Sequence, residues 1–77
     1  MPTRPKHPVA VQFGNRLREL RTERGWSQMT LAEKAHMHFT YVASVERGER
    51  NPSLVNIVKF ASGLGIDSGE LLRGITP

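Results

Sequence analysis

The stretch Ser27–Gly48, SQMTLAEKAHMHFTYVASVERG, decides the fold. Leu31, Ala32 and Ala35 recur at the spacing of one helical face, and Ser27 stands where an N-cap would satisfy the first free amides. A helix is predicted over Gln28–Ala35. His36-Met37-His38 then interrupts the pattern, with Met37 as the apolar plug, and a second helix is predicted from Phe39 to Arg47. The link is too short to leave the two helices parallel.

At roughly 100° per residue from Thr40, the residues Tyr41, Val42 and Val45 fall on one arc, which packs inward. Arg47, Thr40, Ser44 and Ala43 fall on the opposite arc. Short side chains with hydrogen-bonding ends, plus one guanidinium, suit a helix that enters a DNA major groove: the backbone comes close and the polar ends reach base edges.

In order, the chain carries Gly25, Ser27-Gln28, Leu31-Ala32, Lys34-Ala35, Tyr41-Val42, Val45-Glu46-Arg47-Gly48, Arg50-Asn51-Pro52-Ser53-Leu54 and Leu64-Gly65. This run resembles the helix-turn-helix of the Cro/repressor (Xre) family, which includes the lambda-type repressors, over about residues 13–72. The resemblance implies an all-α, five-helix, lambda-repressor-like DNA-binding domain. It also implies base-facing roles for His38, Phe39, Thr40, Ala43 and Ser44. Gln28 opens the first helix of the pair, where free amides and the helix dipole favour a phosphate oxygen and its side-chain amide can add a second bond. Ser27, Arg47, Arg50 and Asn51 are further candidates for phosphate contacts, which position a protein without reading sequence. Phe39 stands where the family more often has a polar residue. A thymine methyl would suit it, and folding back onto His36 or Met37 is the competing reading.

Upstream, Phe13, Leu17 and Leu20 form the inward stripe of a helix that Pro8 begins and Gly25 ends. Arg16, Arg18 and Arg24 are expected mostly in solvent. Arg21 lies beside the stripe, and the resemblance implies that it pairs with Glu46 and clamps the first helix to the third. His36 occupies a turn position where the family usually has glycine and positive φ is required. In that conformation a residue with a Cβ costs on the order of 1 kcal/mol.

Downstream, Pro52 is expected to open a fourth helix, capped by Asn51 or Ser53, with Leu54, Ile57, Val58, Ala61 and Leu64 as its core stripe and Phe60 at the flank. Asp67-Ser68-Gly69-Glu70 reads as a capping box before a short last helix. One such module buries only roughly 600–1,000 Å² against DNA, and the family dimerises over a near-palindromic site. Ile66, Leu71, Leu72 and Ile75 are the expected dimer contact.

Composition agrees with this reading. Eleven Lys and Arg against seven Asp and Glu give a charge of +4 and a pI near 10.4, which favours a polyanionic partner. At 77 residues the chain is expected to form one domain over residues 9–73, between a mobile basic arm at residues 1–8 carrying Arg4 and Lys6 and a frayed tail at residues 74–77. Without cysteine there is neither a disulfide nor a thiolate zinc site, and a cytoplasmic location is expected. His36 and His38 alone do not make a metal site. No cofactor, small-molecule ligand, membrane association or enzymatic activity is expected, and the partners are operator DNA and a second copy of the chain. The remaining alternative is a protein-interaction module of the same shape, such as an antitoxin or coactivator bridge. Family members of this size include phage repressors, antitoxins and restriction-modification controllers, whose length it fits well.

Overall fold

The computed structural model describes residues 6–77. Among them run five helices: α1 (Pro8–Glu23), α2 (Gln28–Ala35), α3 (Phe39–Glu46), α4 (Leu54–Leu64) and α5 (Ser68–Leu72). The expected all-α, five-helix architecture is present. Arg4, placed in the sequence-predicted arm, lies outside the described residues, while Lys6 is exposed.

Each of the first four helices begins at a side-chain cap. His7 Nδ1 accepts from Val9 N, Ser27 from Thr30 N, His38 from Thr40 N and Ser53 from Asn56 N. Pro52 therefore stands outside α4, one residue before its cap. Asp67 caps α5 by position only, since its side chain makes no cap bond, so the expected capping box is not formed. His36 adopts φ 56°, ψ 49°, as the turn between α2 and α3 demands.

The core draws buried residues from all five helices. Phe60, expected at a flank, is fully buried at its centre, 6.2 Å from the Phe13 ring and 6.3 Å from the nearly parallel ring of Tyr41. Leu17, Leu31, Val42, Val45 and Leu71 complete its most enclosed layer. Two glycines set how closely helices cross. A Cβ on Gly14 would lie 2.4 Å from the Val45 carbonyl oxygen, and one on Gly63 would lie 2.9 Å from Ala35 N. Thus α1 meets the C-terminal end of α3, and α4 meets the end of α2, backbone to backbone.

Two expected solvent arginines are staples instead. Arg24 donates to Leu20 O and Leu64 O, tying α1 to the end of α4, and Arg16 donates twice to Glu70 O in α5. The closing residues are also held. Gln12 Nε2 donates to Thr76 O at 2.7 Å, Thr76 N donates back to Gln12 Oε1, and Ile75 packs on the core. The fraying expected at residues 74–77 is thus replaced by a reciprocal pair of bonds to α1.

The α4 stripe divides. Ala61 and Leu64 are buried, yet Leu54 is 75% and Val58 49% exposed, with Val55 exposed beside them. Four apolar residues among positions 54–58 form a stripe wider than the single face that α4 lays on α2. The surplus faces outward.

Candidate nucleic-acid interface

His38, Phe39 and Thr40 are exposed at the start of α3, and Ala43 is half-buried one turn later. Phe39 stands 40% open and is not part of the core cluster. His38 and Thr40 are bound to each other: the His38 Nδ1 takes the Thr40 main-chain N–H at 3.2 Å and lies 2.7 Å from the Thr40 hydroxyl.

Ser44 does not belong to this exposed face. It is 5% exposed, donates to Tyr41 O at 2.8 Å and accepts from Arg50 Nε at 3.3 Å. The helical wheel placed it outward correctly with respect to α3 alone. After α3, however, the chain folds back, Glu49 N donating to Ser44 O, so that loop residues cover the hydroxyl. Ser44 is a structural hydrogen-bonding residue that holds Arg50.

The candidate phosphate contacts sit at both ends of the exposed face, with differing freedom. Ser27 Oγ is engaged as the α2 cap. The Gln28 side chain turns inward and donates to Glu46 Oε1 at 3.0 Å, which corrects the expectation that its side chain would reach a phosphate. The main-chain N–H groups of Gln28 and Met29 still open α2 ahead of its first internal acceptor. Arg47 is exposed and grips Glu49 through two bonds of 3.0 Å. The hydrogen bond from Arg47 lowers the Glu49 pKa, and the charges of Arg47, Lys6 and Arg50 act in the same direction. Arg50 and Asn51 are exposed.

Behind the face, Glu46 is a fully enclosed carboxylate. Arg21 meets it with Nε at 2.6 Å from Oε2 and Nη2 at 2.9 Å from Oε1, and its Nη1 donates to Trp26 O. Arg18 Nε approaches to 3.5 Å. Burial pushes the Glu46 carboxyl up, but the hydrogen bonds from Arg21 and Gln28 and the charges of Arg21 and Arg18 outweigh it, leaving the pKa lowered. The Arg21–Glu46 pair named from sequence is therefore one edge of a four-residue cluster joining α1, α2 and α3. The signal for Arg18 was its position one turn before Arg21 on the same face of α1.

The expected dimer set separates. Leu71 is fully buried in its own core, because a single-turn helix needs one anchor, and Ile66 and Ile75 pack partly on that core. Only Leu72 is exposed. It shares an apolar concavity with Pro52 and Ile57, beside the outward Leu54, Val55 and Val58 that sequence reading assigned to the interior or passed over. Among the described residues no three His, Cys, Asp or Glu side chains form a metal-binding group, and no helix is long and apolar enough to cross a membrane.

A family model described as helix-turn-helix matches residues 17–71. The chain is 43% identical over 68 residues to the control protein C.MunI from Mycoplasma sp, covering 87% of this chain and 92% of that one. It is 38% identical over 65 residues to the control protein C.BamHI from Bacillus amyloliquefaciens, covering 83% and 80%. Its fold superposes on the restriction-modification controller protein C.AhdI from Aeromonas hydrophila with a TM-score of 0.82 and 54% identity, over 84% of this chain and 98% of that one.

Proposed function

The chain belongs to the helix-turn-helix family, and on that premise we propose that it is a homodimeric, sequence-specific DNA-binding regulator of transcription. The observation that carries the reading is the division of α3: Val42, Val45 and Glu46 lock one side into the core, while His38, Phe39 and Thr40 stand exposed at its start. The first amides of α2, with Arg47 at the C-cap of α3 and Arg50 and Asn51 in the loop after it, supply the phosphate contacts that fix its register in a groove. Its work is regulatory rather than enzymatic, in the cytoplasm, and the controller proteins it resembles are the kind of regulator it fits.

Dimerisation supplies the second half-site. The outward Leu54, Val55 and Val58, with Leu72, form the apolar contact between two copies, in place of the Ile66, Leu71 and Ile75 expected from sequence. Selection from random duplexes tests the function: an enriched inverted repeat is expected, with half-sites about one turn of DNA apart. Loss of enrichment for any sequence would contradict it. Sedimentation of Leu54→Glu and Val58→Glu tests the contact. A folded monomer is expected, and an unchanged dimer would place the interface elsewhere.

A further inference from the structure

The cap of α3 also fixes the chemistry of the two side chains at its tip. A main-chain N–H can only donate, so the His38 Nδ1 that receives the Thr40 N–H is the unprotonated ring nitrogen. The Thr40 hydroxyl, 2.7 Å from that same nitrogen, then turns its hydrogen toward it and shares the single Nδ1 lone pair with the longer main-chain bond. Two consequences follow. The His38 proton resides on Nε2, on the far side of the ring, and Thr40 Oγ1 retains only acceptor capacity for anything outside the protein. Both residues are exposed.

We propose that His38 and Thr40 act as one tautomer-locked reading unit, in which His38 Nε2 donates to a purine N7 and Thr40 Oγ1 accepts from the exocyclic amino group of an adenine or cytosine on a separate base pair. The inference rests on the reading of α3 as a DNA-recognition helix and makes it more specific. A free threonine hydroxyl exchanges roles and suits any base, whereas a hydroxyl whose hydrogen is committed inward rejects the carbonyl edges of guanine and thymine. Purine N7 is the acceptor that both purines present in the major groove. The two ring nitrogens point apart, so the two contacts fall on different base pairs.

The test has two readouts. In the free protein, long-range proton–nitrogen correlation spectra assign the ring proton, and Nε2–H is expected for His38. A proton on Nδ1 would overturn the proposal whatever the protein does with DNA. On the duplex obtained by selection, single 7-deazapurines and single nucleotides lacking the exocyclic amino group are scanned through one half-site. For the parent, one analogue of each kind is expected to weaken binding about 10-fold. The 7-deaza effect should vanish in His38→Ser, because serine keeps the cap but is too short to place a donor where the imidazole Nε2 stands, and the amino effect should vanish in Thr40→Val. Equal thermal melts of parent and His38→Ser confirm that the cap survives. Analogue losses that are the same in parent and variants, or a His38→Ser variant that binds all duplexes equally more weakly, would assign His38 to a phosphate and refute the unit. If the protein prefers no duplex at all, the DNA-binding reading itself fails and base reading falls with it, while the spectra still decide the tautomer.

Discussion

Replacing Arg21 by Met removes the two shortest bonds to a carboxylate whose side chain has no solvent exposure, while the arginine itself is only 12% exposed. Breaking a buried pair by one partner costs about 3–5 kcal/mol, because the other charge is left uncompensated. Gln28 at 3.0 Å and the half-exposed Arg18 at 3.5 Å remain on Glu46, which puts the loss near the lower end, about 3 kcal/mol. Glu46→Leu is expected to cost about the same, because Arg21 retains Trp26 O but Gln28 loses its acceptor. In the double variant neither charge is stranded, so much of the single loss should be recovered, leaving about 1 kcal/mol. That corresponds to a coupling of about 5 kcal/mol. A 77-residue domain has about 4–12 kcal/mol of stability, so each single variant is measurable and close to its limit. Urea unfolding followed by the fluorescence of Trp26, the sole tryptophan, reads the cycle. Single losses below about 1 kcal/mol that simply add would show the cluster to be solvated and would refute the clamp.

The same carboxylate sets an acid limit. Because folding holds the Glu46 pKa below its ordinary 4.5, its contribution is fully present above that value and is lost as pH falls through the depressed one. The parent's urea midpoint should therefore drop below about pH 4.5 more steeply than that of Glu46→Gln, and identical profiles would contradict the assignment. Glu49→Ala removes both acceptors and so frees Arg47 from its two bonds. Affinity for DNA should rise in gel-shift titrations, and the log–log salt slope should steepen by about 0.9 per protomer. An unchanged slope would mean that Arg47 stays off the phosphates. Ser44→Ala should lose about 0.5–1.5 kcal/mol in melts through its missing bond to Tyr41 O, and should select the parent's consensus. A changed consensus would return Ser44 to the reading face.

Local signals carried most of the fold. Ser27 as the α2 cap and Gly65 at the end of α4 are decided within a few residues and are where the pattern put them; Gly25 follows the Arg24 cap of α1 by one residue, Ser53 is the one of two named candidates that caps α4, and the positive φ of His36 is where the family resemblance put it. The Arg21–Glu46 pair was legible only through the family resemblance, since 25 positions separate the two. Misreadings arose where a distant segment decides exposure. Ser44 is covered by the loop that follows α3, Gln28 is drawn inward by a carboxylate 18 residues on, and Leu71 is the anchor of a helix too short to bury two leucines. On α4, hydrophobic spacing marked a stripe, but a stripe does not reveal how much partner surface exists within one chain. The outward Leu54 and Val58 had the composition of core but lie exposed on the surface.

The central claim is that the start of α3 reads a DNA sequence while the residues flanking it grip the backbone. Fluorescence anisotropy with the selected duplex and a scrambled one, each titrated from about 50 to 200 mM salt, tests it most directly. Contacts to roughly 6–10 phosphates by a dimer predict a loss of about 10³–10⁵ in affinity over that range, for both duplexes. At any one salt concentration the selected duplex should be favoured at least about 10³-fold. A flat salt response, or equal affinity for the two duplexes, would contradict the account.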